Sequence, residues 1–164
     1  MTFLYILVAY VFVVWVLSRV LVPHLGFSRR GLPDFLPAHF QAEIFALDVA
    51  ATDDADFLAR AYGFVTAKYW GSRVKTLTHF WLAFTDPVGQ PPGFMHCTGQ
   101  NYLLRLILVK SGRFQESDIK IKVVPLNLFI HQYLQVKLGD RWVDVDPWSA
   151  FLHVPLGKKS FLLR

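Results

Sequence analysis

At 164 residues the chain has room for one domain of ordinary size plus a short appendage, and its single cysteine excludes an internal disulfide. Apolar and aromatic residues reach 54%, and part of that excess comes from the first two dozen positions rather than from a core. The net charge of +5 suits a membrane surface or an acidic partner, but the basic residues are scattered and form no long run, which argues against nucleic acid as a partner.

From Phe3 to Leu17 every residue is apolar or aromatic, and after Ser18 and Arg19 the run resumes through Val22. These residues, 3–22, make about 20, near the length needed to cross a hydrocarbon core of roughly 30 Å. We therefore expect a transmembrane anchor over residues 1–23. No basic residue precedes the apolar stretch and no small-x-small site follows it, so a cleaved signal peptide fits less well. Arg19, Arg29 and Arg30 all lie on the carboxyl side, and the positive-inside rule then places the following domain in the cytoplasm, with a single pass.

Residues 24–37 carry Gly26, Gly31, Pro33 and Pro37 and read as a juxtamembrane linker. The domain is expected over residues 38–164. A helix is expected from about Ala38 to Val49, and a second after Thr52, whose hydroxyl can cap it and whose first turn holds Asp53, Asp54 and Asp56. Phe57, Leu58, Ala61, Phe64, Val65 and Tyr69 recur at helical spacing and read as core. Leu77 to Phe84 fits a short helix or a strand. Thr85 to Gly93 is almost all breakers, so Cys97 emerges from an irregular loop into a helix that runs to Lys110 and stops at Ser111-Gly112. Alternation then gives strands at Ile119–Val124 and Leu128–Leu138, and Gly139-Asp140 turns into a third at Arg141–Val145. Helices first, then a helix packed on an antiparallel sheet, give an α+β domain.

The hairpin makes a testable arrangement. With Gly139 and Asp140 as the loop, Leu138 pairs with Arg141, Gln135 stands opposite Asp144, and Tyr133 opposite Asp146. His131, Tyr133, Gln135, Asp144 and Asp146 then share one face, leaving Ile130, Leu134, Val136, Val143 and Val145 for the core. His131 is the diagonal neighbour of Asp146, roughly 7–8 Å between backbones and within side-chain reach, whereas Asp144 is one pair too far. At Cys97 the unpaired N–H groups of a helix start stabilise a thiolate, and the same groups can hold an oxyanion. Adjacent His96 points elsewhere from a helix start and is a poor base. Cysteine, histidine and aspartate in this order suit a nucleophile, a base and an orienting group.

These residues resemble the transglutaminase-like superfamily of cysteine acyltransferases and proteases. The likeness rests on Cys97 opening a helix, on His131 in a strand, and on a following strand that closes in Trp142-Val143-Asp144-Val145-Asp146-Pro147. It covers roughly residues 92–148. Where the family commonly has glycine two residues before the cysteine this chain has Met95, and a small residue and tryptophan after the histidine are replaced by Gln132-Tyr133. The resemblance implies a small papain-like domain with Cys97, His131 and Asp146 as the catalytic group. Tyr133, as an aromatic wall, and the polar His96 and Gln100 are the candidate substrate contacts. It implies a peptide or amide carbonyl as substrate, attacked through a thioester, with hydrolysis favoured over amine transfer because water needs no second pocket. No cofactor or metal is required. The competing expectations are a catalytically silent transglutaminase-like binding module and a subunit of a membrane complex.

Overall fold

The computed structural model describes residues 2–26, 29–126 and 129–160. It is a mixed α+β structure with an apolar amino-terminal helix and a small antiparallel sheet. The apolar run forms α1, Thr2–Leu21, a helix of 20 residues long and apolar enough to cross a membrane. Its middle, Phe12–Leu17, winds as a π-helix before Ser18–Leu21 resumes α geometry. No residue of α1 is buried, as suits a helix without a protein partner around most of its girth.

The segment after α1 is irregular, as expected of a linker, but it is strapped to the domain rather than free. Leu25 is buried, and Leu32 and Leu36 pack against the core. Arg29 pairs with Glu116 at 2.7 Å and also donates to the Ile119 carbonyl. From the helix behind, Arg105 donates to the Arg30 carbonyl and pairs with Glu116 at 3.3 Å. His24, in the left-handed region at φ 63°, lays its ring on Tyr102 at 4.4 Å and accepts at its carbonyl from Gln132 Nε2.

Two helices follow, α2 at Ala38–Ala50 and α3 at Asp54–Lys68. The cap of α3 is Asp53, whose side chain accepts from the Asp56 N–H at 2.8 Å. Thr52, the expected cap, donates its backbone N–H to Asp56 instead, because a carboxylate out-competes a hydroxyl at the positive end of a helix. Tyr69–Trp70 (β1) pairs in parallel with Gly93–Phe94 (β2), a two-residue pairing with no period for a sequence pattern to reveal. Between them, Leu77–Phe84 resolves into the end of α4, Arg73–Thr78, and a 3₁₀ turn over Phe80–Phe84.

The centre is α5, Cys97–Lys110, with every residue from Thr98 to Leu108 buried. Phe40 and Ile44 of α2, Phe57, Leu58, Ala61 and Val65 of α3, and Leu134, Val136 and Val145 of the sheet close around it. The helix stops where Ser111 is followed by Gly112 at φ 82°. The sheet runs in the order β3–β4–β5, with β3 at Ile119–Leu126, β4 at Phe129–Leu138 and β5 at Arg141–Val145. Leu128, expected to begin the middle strand, lies outside the described residues, as do residues 161–164 of the expected domain. The β4–β5 register pairs Leu138 with Arg141, Gln135 with Asp144 and Leu134 with Val145, and Gly139 takes φ 57° at the turn.

Candidate functional site

Cys97 is the first residue of α5, after His96, whose backbone is extended. The ladder of α5 begins when the Gln100 N–H reaches the His96 carbonyl at 3.0 Å, so the amides of residues 97–99 precede it. A glycine at 99 permits the tight approach of Met95, whose Cγ would lie 2.9 Å from a Cβ there. The thiol is partly exposed.

His131 comes from β4, which packs on α5. Its imidazole is buried, with Nε2 2.8 Å from Asp146 Oδ2. Cys97 lies near enough to the ring to raise its pKa. With Nε2 on the carboxylate, Nδ1 is the ring nitrogen left for the sulfur. The three residues singled out from hairpin register and helix start are therefore brought together, in the order sulfur, imidazole, carboxylate. Gln135 and Asp144 pair with each other at 2.8 Å, which keeps Asp144 away from the histidine.

Asp146 is only 1% exposed and is surrounded by donors. Besides His131, its carboxylate accepts from Ser149 Oγ at 2.8 Å, from the Ser160 N–H at 3.0 Å and from the Ser149 N–H at 3.3 Å. The two Ser149 bonds make Asp146 the cap of a 3₁₀ turn over Pro147–Leu152. Trp148 of that turn lies against the His131 ring at 5.0 Å and against Phe151 at 4.9 Å. Gly71 lets this turn close in, since a Cβ there would stand 2.4 Å from the Trp148 carbonyl oxygen. Ser149, Ser160 and Trp148 were missed in the sequence. A signal for the first existed, because aspartate, proline and a serine three residues on is a turn-capping pattern. Ser160 carries none, being joined to the site only by tertiary folding.

Burial by itself lowers the His131 pKa. The hydrogen bond to Asp146 and the contact with Cys97 outweigh it, and the value is raised from 6.5 to about 10. The ring is therefore an imidazolium at neutral pH, held between a sulfur and an anion. Such a series can deliver a proton to a departing group and take one from an incoming nucleophile.

The expected substrate contacts fall differently. Gln100 is fully buried, its Nε2 donates to the Met95 carbonyl at 3.0 Å, and it does not line the space beside Cys97. Tyr133 is buried as well, with its hydroxyl accepting from Lys159 Nζ at 2.7 Å, and it does not line the space beside the sulfur. On this face of the sheet His131 meets Trp148 of the Pro147–Leu152 turn and Tyr133 meets Lys159. His96 does line that space, with Nε2 3.0 Å from the His79 carbonyl oxygen. Burial lowers its pKa, the bond to His79 raises it, and the first effect prevails.

Beside Cys97 lies a cavity of about 370 Å³. Val13, Val14, Leu17, Leu21 and Val22 form one wall, Phe80, Ala83 and Phe84 another, and Ile130, His96 and Thr98 complete the floor around the sulfur. Ile130, assigned by alternation to the core, serves here instead. No family model, curated protein or solved structure matches the chain.

Proposed function

We propose that the protein is a membrane-anchored, transglutaminase-like cysteine enzyme that cleaves an acyl–heteroatom bond through a thioester. The observation that carries this reading is the buried 2.8 Å contact between His131 and Asp146, with Cys97 near the same ring and an open space beside Cys97. In the first step the Cys97 sulfur bonds to the carbonyl carbon, and the amides at the start of α5 face the oxygen that takes up the charge. The carbon–nitrogen or carbon–oxygen bond then breaks, and the leaving atom takes the proton of His131. In the second step water bonds to the thioester carbon and passes a proton to His131, and the carbon–sulfur bond breaks to restore the thiolate. Asp146 touches no substrate; it fixes the ring and stabilises its charge. Hydrolysis is the simpler outcome, as an amine acceptor would need a second recessed site.

Anchoring follows from α1, and the arginines on its carboxyl side favour a domain on the cytoplasmic face. The test of the chemistry is alkylation of Cys97 by iodoacetamide in the full-length protein. An activated sulfur reacts faster than free cysteine at neutral pH and slows by ~10²-fold or more in His131→Ala. Equal rates in the two proteins would remove the catalytic reading.

A further inference from the structure

The cavity beside Cys97 has two features that a peptide site would not share. Nearly all its lining is hydrocarbon or aromatic, and one entire wall belongs to α1. That wall includes the π-helical stretch, Val13, Val14 and Leu17; such distortions are frequent at functional sites in otherwise regular helices. In the segment that forms the opposite wall, α4 and the following 3₁₀ turn, Val74, Leu77 and Trp81 are exposed, as are the lining residues Phe80 and Phe84. Trp81 is 52% exposed and Phe84 54%, with Arg73 and Lys75 on the same short segment. Aromatic and aliphatic side chains interleaved with basic ones are the composition of an element lying at a lipid headgroup boundary. This segment and α1 line the same space, so it is bounded on two sides by residues suited to lipid rather than to water.

We infer that the substrate of Cys97 is a membrane lipid whose acyl chain lies in this cavity, entering from the bilayer between α1 and the Phe80–Phe84 turn with its carbonyl presented to the sulfur. This rests on the proposed role of Cys97 and names its substrate class. A volume of about 370 Å³ lies at the lower end of the roughly 300–1,000 Å³ typical of small-ligand sites. The polar floor, with His96, Cys97 and Thr98, is where the ester or amide head of the chain would sit. In the acylation step the sulfur–carbon bond forms at the lipid's carbonyl, and the ester oxygen or amide nitrogen leaves with the His131 proton.

The test uses the full-length protein in detergent micelles and 2-bromoalkanoates of two, eight and sixteen carbons, which place an electrophilic carbon at the head of a chain. A micelle-bound alkanethiol in the same samples corrects for partitioning. After correction, Cys97 should react with the sixteen-carbon reagent at least ~10-fold faster than with the two-carbon one, because a chain held in the cavity keeps its electrophilic carbon beside the sulfur. Val14→Trp and Ala83→Trp, which fill the cavity from opposite walls, should each erase that advantage. Corrected rates independent of chain length, or an advantage that survives both substitutions, would overturn the inference. The two readings fail separately: a chain-length advantage in a protein whose iodoacetamide rate ignores His131→Ala leaves the cavity a lipid site and removes only the catalysis.

Discussion

Asp146 is the residue on which the site turns. It gathers four hydrogen bonds from His131, Ser149 and Ser160, and the one from His131 is the largest of the effects that raise the pKa of that buried imidazole. Because the folded pKa of His131 lies above its ordinary 6.5, the stability it contributes is fully present below that value and is lost as pH rises through about 10. In Asp146→Ala the pKa of the ring should fall, since only the contact with Cys97 would remain to oppose burial. Nitrogen chemical shifts of His131 across pH 5 to 9 would report this: unchanging in the parent protein, losing the proton at lower pH in the variant. Urea denaturation of the variant should show a loss of ~3–5 kcal/mol, the usual cost of stripping one partner from a buried pair. The choice of Asp146 over Asp144 could be read from the sequence because hairpin pairing is arithmetic once the two loop residues are known. Gln100 and Tyr133 could not be assigned that way, since polarity near a nucleophile says nothing of which way a side chain turns.

At the scale of elements, the strap between α1 and α2 departs most from a sequence reading. Glycine and proline mark it as irregular, and irregular segments are read as spacers. Its docking depends on Arg29 and Arg30 finding partners some 75 to 90 residues away, which no local pattern encodes. His24 makes this strap sensitive to acid. Burial, then the positive charges of Arg30 and Arg105, depress its pKa from 6.5 to about 4. The unfolded chain therefore takes up the proton first, and stability falls as pH drops from about 6.5 toward 4. Amide hydrogen exchange over residues 22–36 should accelerate between pH 6 and 4 in the parent protein, relative to the intrinsic rate. In His24→Phe, which keeps an aromatic ring on Tyr102 without a titrating group, that acceleration should be absent. The longer helices α2, α3 and α5, by contrast, were legible nearly residue by residue, because α3 has its acidic first turn and α5 its closing glycine in the sequence itself.

For the whole molecule, α1 does two jobs that its composition alone could not separate. Length and apolarity identify a helix able to span a bilayer, while its packing makes the same helix a wall of the space beside Cys97. The protein should accordingly resist alkaline extraction from membranes. A reporter fused to its carboxyl end should be active only on the cytoplasmic side, and activity solely on the far side would reverse the topology. The fold class was accessible from element order, but the cavity was not, since it lies between segments about 60 to 80 residues apart in the chain.

One consequence concerns the order in which the chain is made. The last donor to Asp146 is the amide of Ser160, close to the end of the described chain, whereas α1 and Cys97 are synthesised long before it. Translation thus delivers the apolar helix first, Cys97 second, His131 third and the donors that hold Asp146 after them. The cluster around His131 is therefore completed only after α1, which walls the space beside Cys97, has been made.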